Sequence, residues 1–409
     1  MQVAGIRPRT VAGFMFAGLM FALAMSIAAA VQAQTADQVP RLHGYTIVKP
    51  LQGVTHAEVR AAVAASSTIP MWDYSVVSPL DSKTYTGTMI GRSPYFHGLR
   101  TTNIPTFLVP LIINLPDGGV FDPTKADKNC LTAPNDVAST LMQQSPILTN
   151  ASFTFGPTFV GDTQYIDAFQ RGNFWNTNVV TTGNSYHTML SPVTTLPAVT
   201  VNIPAGQGAT YNAATMFGGC GNIGVMDNNT FDGILQNTVL PSLKSSGVGP
   251  TTLPLFLVYN VVQGVAGDSI GPSNCCILGY HNAVGAAVQV YGISDFDTTT
   301  IFTGGGSITS DTSVMAHEVG ELTDDPLGTN PTPLWGNIGQ VSGCQGNLEN
   351  GDPLSGTVLP PVTQSNGFAY NLQELAFFSW FYRQTPPGLG VNGWFSNNGT
   401  FTAGQPSVC

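Results

Sequence analysis

The chain has 409 residues, 43% of them hydrophobic and only 9% charged, with a formal net charge of −10. That apolar content can bury a large core, which excludes a disordered chain. The acidic balance excludes nucleic acid and anionic membrane surfaces as partners, because both are met by basic patches.

Residues 1–33 read as a secretory signal. Arg7 and Arg9 precede the apolar run 11–31, and Val31-Gln32-Ala33 offers a small-x-small cleavage site. The run is about long enough to span a bilayer, but the polar residues after it favour cleavage over anchoring. The expected mature chain keeps 11 basic against 23 acidic side chains and all six cysteines. It is therefore expected to be secreted, extracellular or periplasmic, with disulfides that the sequence cannot pair among 15 connectivities. Cys275 and Cys276 are expected to take separate partners, because a bridge between neighbours is strained.

Residues 34–68 form a lead-in containing a short helix, with Thr55 and Glu58 set as a capping box. From Met71 the pattern turns to strands, giving a β-rich N-terminal lobe over 69–249. Residues 106–115 read as a buried strand that Pro110 places at an edge or bulge. Residues 116–119 read as a turn. Residues 136–144, 165–175 and 230–240 read as helices, the second with an aromatic stripe suited to a core. Strands are expected at 199–203 and 221–226. The Gly/Ser/Pro-rich stretch 245–250 is the expected boundary. A second lobe, 250–409, opens with a buried strand at 253–262 and a hairpin formed by 277–281 and 286–293. A helix capped by Ser310 or Asp311 follows. Residues 330–356 read as a loop, and the aromatic run 377–382 as a segment that closes the core.

The helix carries the chemistry. It contains His317-Glu318-Val319-Gly320-Glu321 and is ended by Pro326. Positions i and i+4 share a face, so His317 and Glu321 can grip one ion. Glu318, about 100° round the helix, can take a proton from a metal-bound water. The chain has five Glu, and two of them lie in this motif. A hydrolytic zinc needs a third protein ligand and an open position. Glu349 is the expected third ligand, and Asp352 is expected to fix the ring of His317. Asp325, Asp352 and His281 are supporting groups or alternative ligands, while Asp324 is expected to face solvent. Zn2+ is the expected ion, although oxygen ligands relax the preference for it over other divalent ions. His43, His97 and His187 carry no partner pattern.

At these residues the chain resembles the thermolysin-like zincins, where H-E-x-x-H is followed by a T-D pair and a downstream Glu and Asp. His317, Glu318, Asp325, Glu349 and Asp352 match in order, with Glu321 in place of the second His. It is more similar still to the secreted EXORDIUM-like, phosphate-induced proteins and their bacterial relatives. Those carry H-E-x-x-E with D-P, a preceding C-G-[YF]-H and a later E-I-[GA]-D. Here these are His317 to Pro326, Cys276-Ile-Leu-Gly-Tyr-His281 with two extra residues, and Glu349-Asn-Gly-Asp352. The likeness covers residues 250–409.

The resemblance implies an α+β protein whose zincin-like lobe, a mixed sheet with an active-site helix, follows the β-rich N-terminal lobe. The expected function is a secreted metal-dependent hydrolase, a peptidase acting on polypeptide or cell-wall substrate. The alternative is a non-enzymatic extracellular or cell-wall binding protein with a structural metal.

Overall fold

The computed structural model describes residues 42–95, 100–131, 133, 136–179, 186–265, 275–304, 307–382, 390–404 and 409. The expected signal segment lies outside them. Residues 41–409 make one compact unit, a mixed α/β structure built on a curled mixed sheet with few helices.

The main sheet has eleven strands. In chain order they are β1 (Tyr45–Lys49), β2 (Arg100–Asn114), β3 (Val120–Phe121), β4 (Tyr186–Thr195), β5 (Val199–Asn202), β6 (Gly208–Asn212), β7 (Asn222–Asp227), β8 (Leu253–Tyr259), β9 (Val261–Gly264), β10 (Cys275–Val284) and β11 (Gln289–Phe296). Across the sheet the order is β6-β7-β9-β10-β11-β8-β2-β3, with β1 against β10 and both β4 and β5 against β2. The boundary expected at 249/250 falls inside this unit. There β2, from before it, runs parallel to β8, from after it, with Thr106 opposite Leu253 and Pro110 opposite Leu257. The lead-in contributes β1, parallel to β10.

Pro110 corrects one expectation, because β2 is an interior strand. On one side β2 pairs with β4 as far as Leu108, then with β5 from Leu111. Pro110 sits where one partner has ended and the next has not begun, so its missing N–H breaks no bond there.

Side chains alternate across the sheet, and the alternation places the site. Leu253, Leu255, Leu257 and Tyr259 of β8 enter one core, whereas Phe256 and Val258 enter the other. In β10, Ala283 joins the first core and Tyr280 the second. His281, two residues before Ala283, therefore points to the first face. The helical run from Asn228 covers the second face through Phe231, Leu235 and Leu240.

Three helices matter here: α1 (His56–Ala64), α2 (Tyr165–Asn173) and α3 (Ser313–Asp324). The expected capping box of α1 is present, with Thr55 and Glu58 each bonded to the other's backbone. Helix α3 lies on the first face through Met315, Ala316, Val319 and Leu322. All twelve of its residues are buried, which rules out a surface helix that matches the motif by accident. Thr312, rather than Ser310 or Asp311, holds its N-cap position. Asp311 instead accepts from the Thr312 and Asn371 amides at 2.5 and 2.9 Å.

The expected loop 330–356 is partly a hairpin, Pro331–Ile338 against Val341–Asn347. Its Gly content, read as loop, serves close strand approach, since a Cβ on Gly336 would meet the Gly343 carbonyl oxygen at 1.9 Å. The cysteines stand in three pairs at disulfide distance: Cys130–Cys220, Cys275–Cys276 and Cys344–Cys409. The neighbours were expected apart. Their Cα atoms are 3.1 Å apart and their sulfurs stand at disulfide distance. No helix among the described residues is long and apolar enough to cross a membrane.

Candidate metal centre

Helix α3 presents its motif to β10 on one side and to the segment 348–352 on the other. Nε2 of His317 lies 2.9 Å from Oε1 of Glu321, the i,i+4 contact that helix geometry dictates. Asp352 adds Oδ1 at 3.6 Å from the same nitrogen. Asp352 thus faces the same ring nitrogen as Glu321. His317, Glu321 and Asp352 offer three ligand atoms within 4.8 Å of one another, all from buried residues. Such a set of imidazole and carboxylates can hold a metal ion.

A second set lies across Glu321. His281, Glu318 and Glu321 also bring ligand atoms within 4.8 Å of one another. Nδ1 of His281 is 3.4 Å from Oε2 of Glu318 and 3.7 Å from Oε2 of Glu321. Nε2 of His281 donates to the carbonyl oxygen of Asp325 at 3.1 Å. Gly279, one pleat before His281, makes room for Glu318: a Cβ there would meet Glu318 Oε1 at 2.9 Å and the Ile293 carbonyl oxygen at 2.7 Å.

Glu349 is brought to the cluster but belongs to neither set. Its Oε2 lies 3.9 Å from Nε2 of His281, while its Oε1 accepts from Asn347 at 2.9 Å. Glu321 is held by the backbone amides of Gly351 and Asp352 at 3.1 and 3.2 Å. Both oxygens of Asp325 are taken up, by the amides of Thr329 and Asn330 at 2.9 Å each, in the turn after the helix. Asp324, expected in solvent, is fully buried. Helix α2 and residue 350 cover its side of α3, and Asn173 and Asn350 donate to its Oδ2 at 3.2 and 3.1 Å.

Burial dominates the electrostatics. It holds the Glu318 and Glu349 carboxyls well above the usual range, Glu349 further raised by the charge of Glu321. Burial and Glu321 push Asp352 up to about 6. Burial brings Asp324 to about 7, burial with the charge of Glu321 brings Asp325 to about 7, and burial with the nearby His317 lowers His281 to about 4. Burial also opposes charge on His317, but Glu321 and Asp352 outweigh it and hold His317 well above 6.5. Glu321 is held low: burial works against its charge, and His317 more than compensates.

Two contacts had no signature in the sequence. Thr46 of β1 places its hydroxyl 2.6 Å from Nε2 of His317. The carboxamide of Gln340 pairs with both backbone groups of Thr46, accepting from its N–H at 3.1 Å and donating to its C=O at 3.0 Å, and also donates to Asp352. These residues form the floor of a cleft of about 340 Å3 lined by Thr46, Val48, Gln340, Gln345, Asn347 and Asp352. Threonine and glutamine have no distinctive spacing, and their partners are far off in sequence.

Comparison of the chain with protein-family profiles, with curated proteins and with solved structures returns no match.

Proposed function

We propose that the protein is a secreted, metal-dependent hydrolase of polypeptides, zincin-like around helix α3 and related to the EXORDIUM-like proteins, with Zn2+ as its ion. The observation that carries this reading is the convergence of His317, Glu321 and Asp352 on one point, with Asp352 lining the cleft and Glu318 sharing Glu321 with His281. The donor set fits a divalent ion. Among the described residues, Oε1 of Glu318 and Oε2 of Glu349 are buried without a hydrogen-bond partner, a costly arrangement that a nearby cation offsets. Glu349 is the alternative third ligand. The three cysteine pairs suit a non-reducing compartment.

A divalent ion held here supplies Lewis acidity to a substrate carbonyl. Glu318 takes the proton of the attacking water at its free Oε1 and passes it to the leaving amine. Burial raises its carboxyl well above the usual carboxylate range. Strand β1 lines the cleft, and the N–H and C=O of Thr46 turn toward Gln340. An extended polypeptide can take those same partners by strand addition once the Gln340 side chain swings away.

A binding protein with a structural metal is the second reading. It is favoured by the closed floor, where His317 and Glu321 are each only 1% exposed. Metal analysis with a peptide-library assay separates the two for wild type, Glu318→Ala and His317→Ala. The hydrolase reading expects Glu318→Ala to keep an ion and lose about 10²–10⁴-fold in turnover, and His317→Ala to lose both. Equal turnover in wild type and Glu318→Ala removes the hydrolase reading.

A further inference from the structure

We propose a second cation site in the same centre, formed by Nδ1 of His281 with Oε2 of Glu318 and Oε2 of Glu321, so that the Glu321 carboxylate bridges two ions. This rests on the reading of His317, Glu321 and Asp352 as the first site.

The argument begins with the tautomer of His281. Its Nε2 faces the Asp325 carbonyl oxygen at 3.1 Å, and a carbonyl can only accept. The ring proton is therefore on Nε2, and the neutral ring turns the lone pair of Nδ1 toward the two carboxylates. A metal-ligating histidine is commonly oriented in this way by a carbonyl on its other nitrogen. With Glu318 and Glu321 ionised, three acceptor atoms converge inside a region where His281 and Glu318 have no exposure at all. Repulsion between buried acceptors needs something positive between them.

The two oxygens of Glu321 are divided between the sets. Oε1 faces His317 and Oε2 faces His281. The four carboxyl groups of Glu318, Glu321, Glu349 and Asp352 and two imidazoles share this region. When ionised they carry four negative charges, which two divalent ions balance and one does not. The remaining oxygen of Glu318, Oε1, has no partner among the described residues.

The site has a functional consequence. An ion there takes Glu318 as a ligand and withdraws it from proton transfer. The second equivalent of metal therefore inhibits, and hydrolysis is greatest with only the first site filled. The competing occupant is a single proton shared between Glu318 and Nδ1.

The experiment is elemental analysis and Mn2+ or Zn2+ titration of the full-length protein, in wild type and His281→Gln. The expected result is two equivalents in wild type and one in His281→Gln, with turnover falling as the second equivalent binds to wild type only. Electron paramagnetic resonance of wild type with two Mn2+ should show exchange coupling through the Glu321 bridge, a readout that needs no variant. One equivalent in both proteins overturns the second site, puts a proton in its place and leaves the first site standing. No bound ion in either overturns the first site as well.

Discussion

The Thr46 hydroxyl stands 2.6 Å from Nε2 of His317, although 271 residues separate them. The first strand of the sheet thus closes over the ring atom that Glu321 and Asp352 also face. Gln340 fastens it there, through both backbone groups of Thr46.

Gln340 thus ties β1 to Asp352. Replacing it with Ala removes bonds to Thr46 and Asp352 and opens the cleft floor. Gln340→Ala should cost about 1–3 kcal/mol of stability and speed release of the ion to a chelator severalfold. Stopped-flow transfer of Zn2+ to a chromogenic chelator measures the rate. Release as slow as in wild type would mean that the ion leaves by another route.

Gly351 is required by the packing of His317. A Cβ there would come within 2.5–2.6 Å of the ring. Gly351→Ala should destabilise by about 1–3 kcal/mol, as overpacking does, and weaken metal binding by turning the imidazole. Gly233→Ala is the control: a Cβ there meets nothing within 4 Å, and alanine favours a helix. Thermal melts with and without metal, compared between the two variants, decide the matter.

The metal-free protein should lose stability as pH rises. Burial lifts Asp324 from the unfolded value of about 3.9 to about 7 in the fold. A group raised on folding stabilises fully below its unfolded pKa, and that stability is lost as pH climbs through the folded pKa. Asp325, at about 7, and Asp352, at about 6, act in the same direction. The melting temperature of chelator-treated protein should fall between pH 4 and pH 8, with a shallower fall in Asp324→Asn. A flat profile would show that these carboxyls are not held neutral.

Ion binding should run the other way. The ligating carboxyls must shed their protons first, so affinity should rise with pH through about 6, the value for Asp352. Calorimetry in two buffers of different ionisation enthalpy should find protons released on binding. Absence of release would remove protonated Asp352, Glu318 and Glu349 from the centre.

Much of this was legible in the chain. The motif on α3, its termination before Pro326, the box formed by Thr55 and Glu58, and the β10–β11 hairpin follow from local patterns, which survive in any tertiary setting. Other features were not legible, each for a physical reason. Asp324 looked exposed because nothing local shows that α2 and Asn350 cover its side of the helix. Residues 331–347 looked like loop because glycine supports a turn and close strand approach equally well. Pro110 looked like an edge because the gap between β4 and β5 is a property of their register against β2.

The sequence by itself determined which groups could do chemistry: one helical turn carrying an imidazole and two carboxylates, and two further acids shortly downstream. Backbone periodicity alone places His317 and Glu321 together. Only the tertiary structure decided that Asp352 faces the same nitrogen as Glu321, that Glu349 reaches the ring of His281, and that Nδ1 of His281 faces Glu318. Those contacts join separate strands, loops and a helix. They are set by how the layers pack and by the need to satisfy buried polar groups, which no local run of residues encodes.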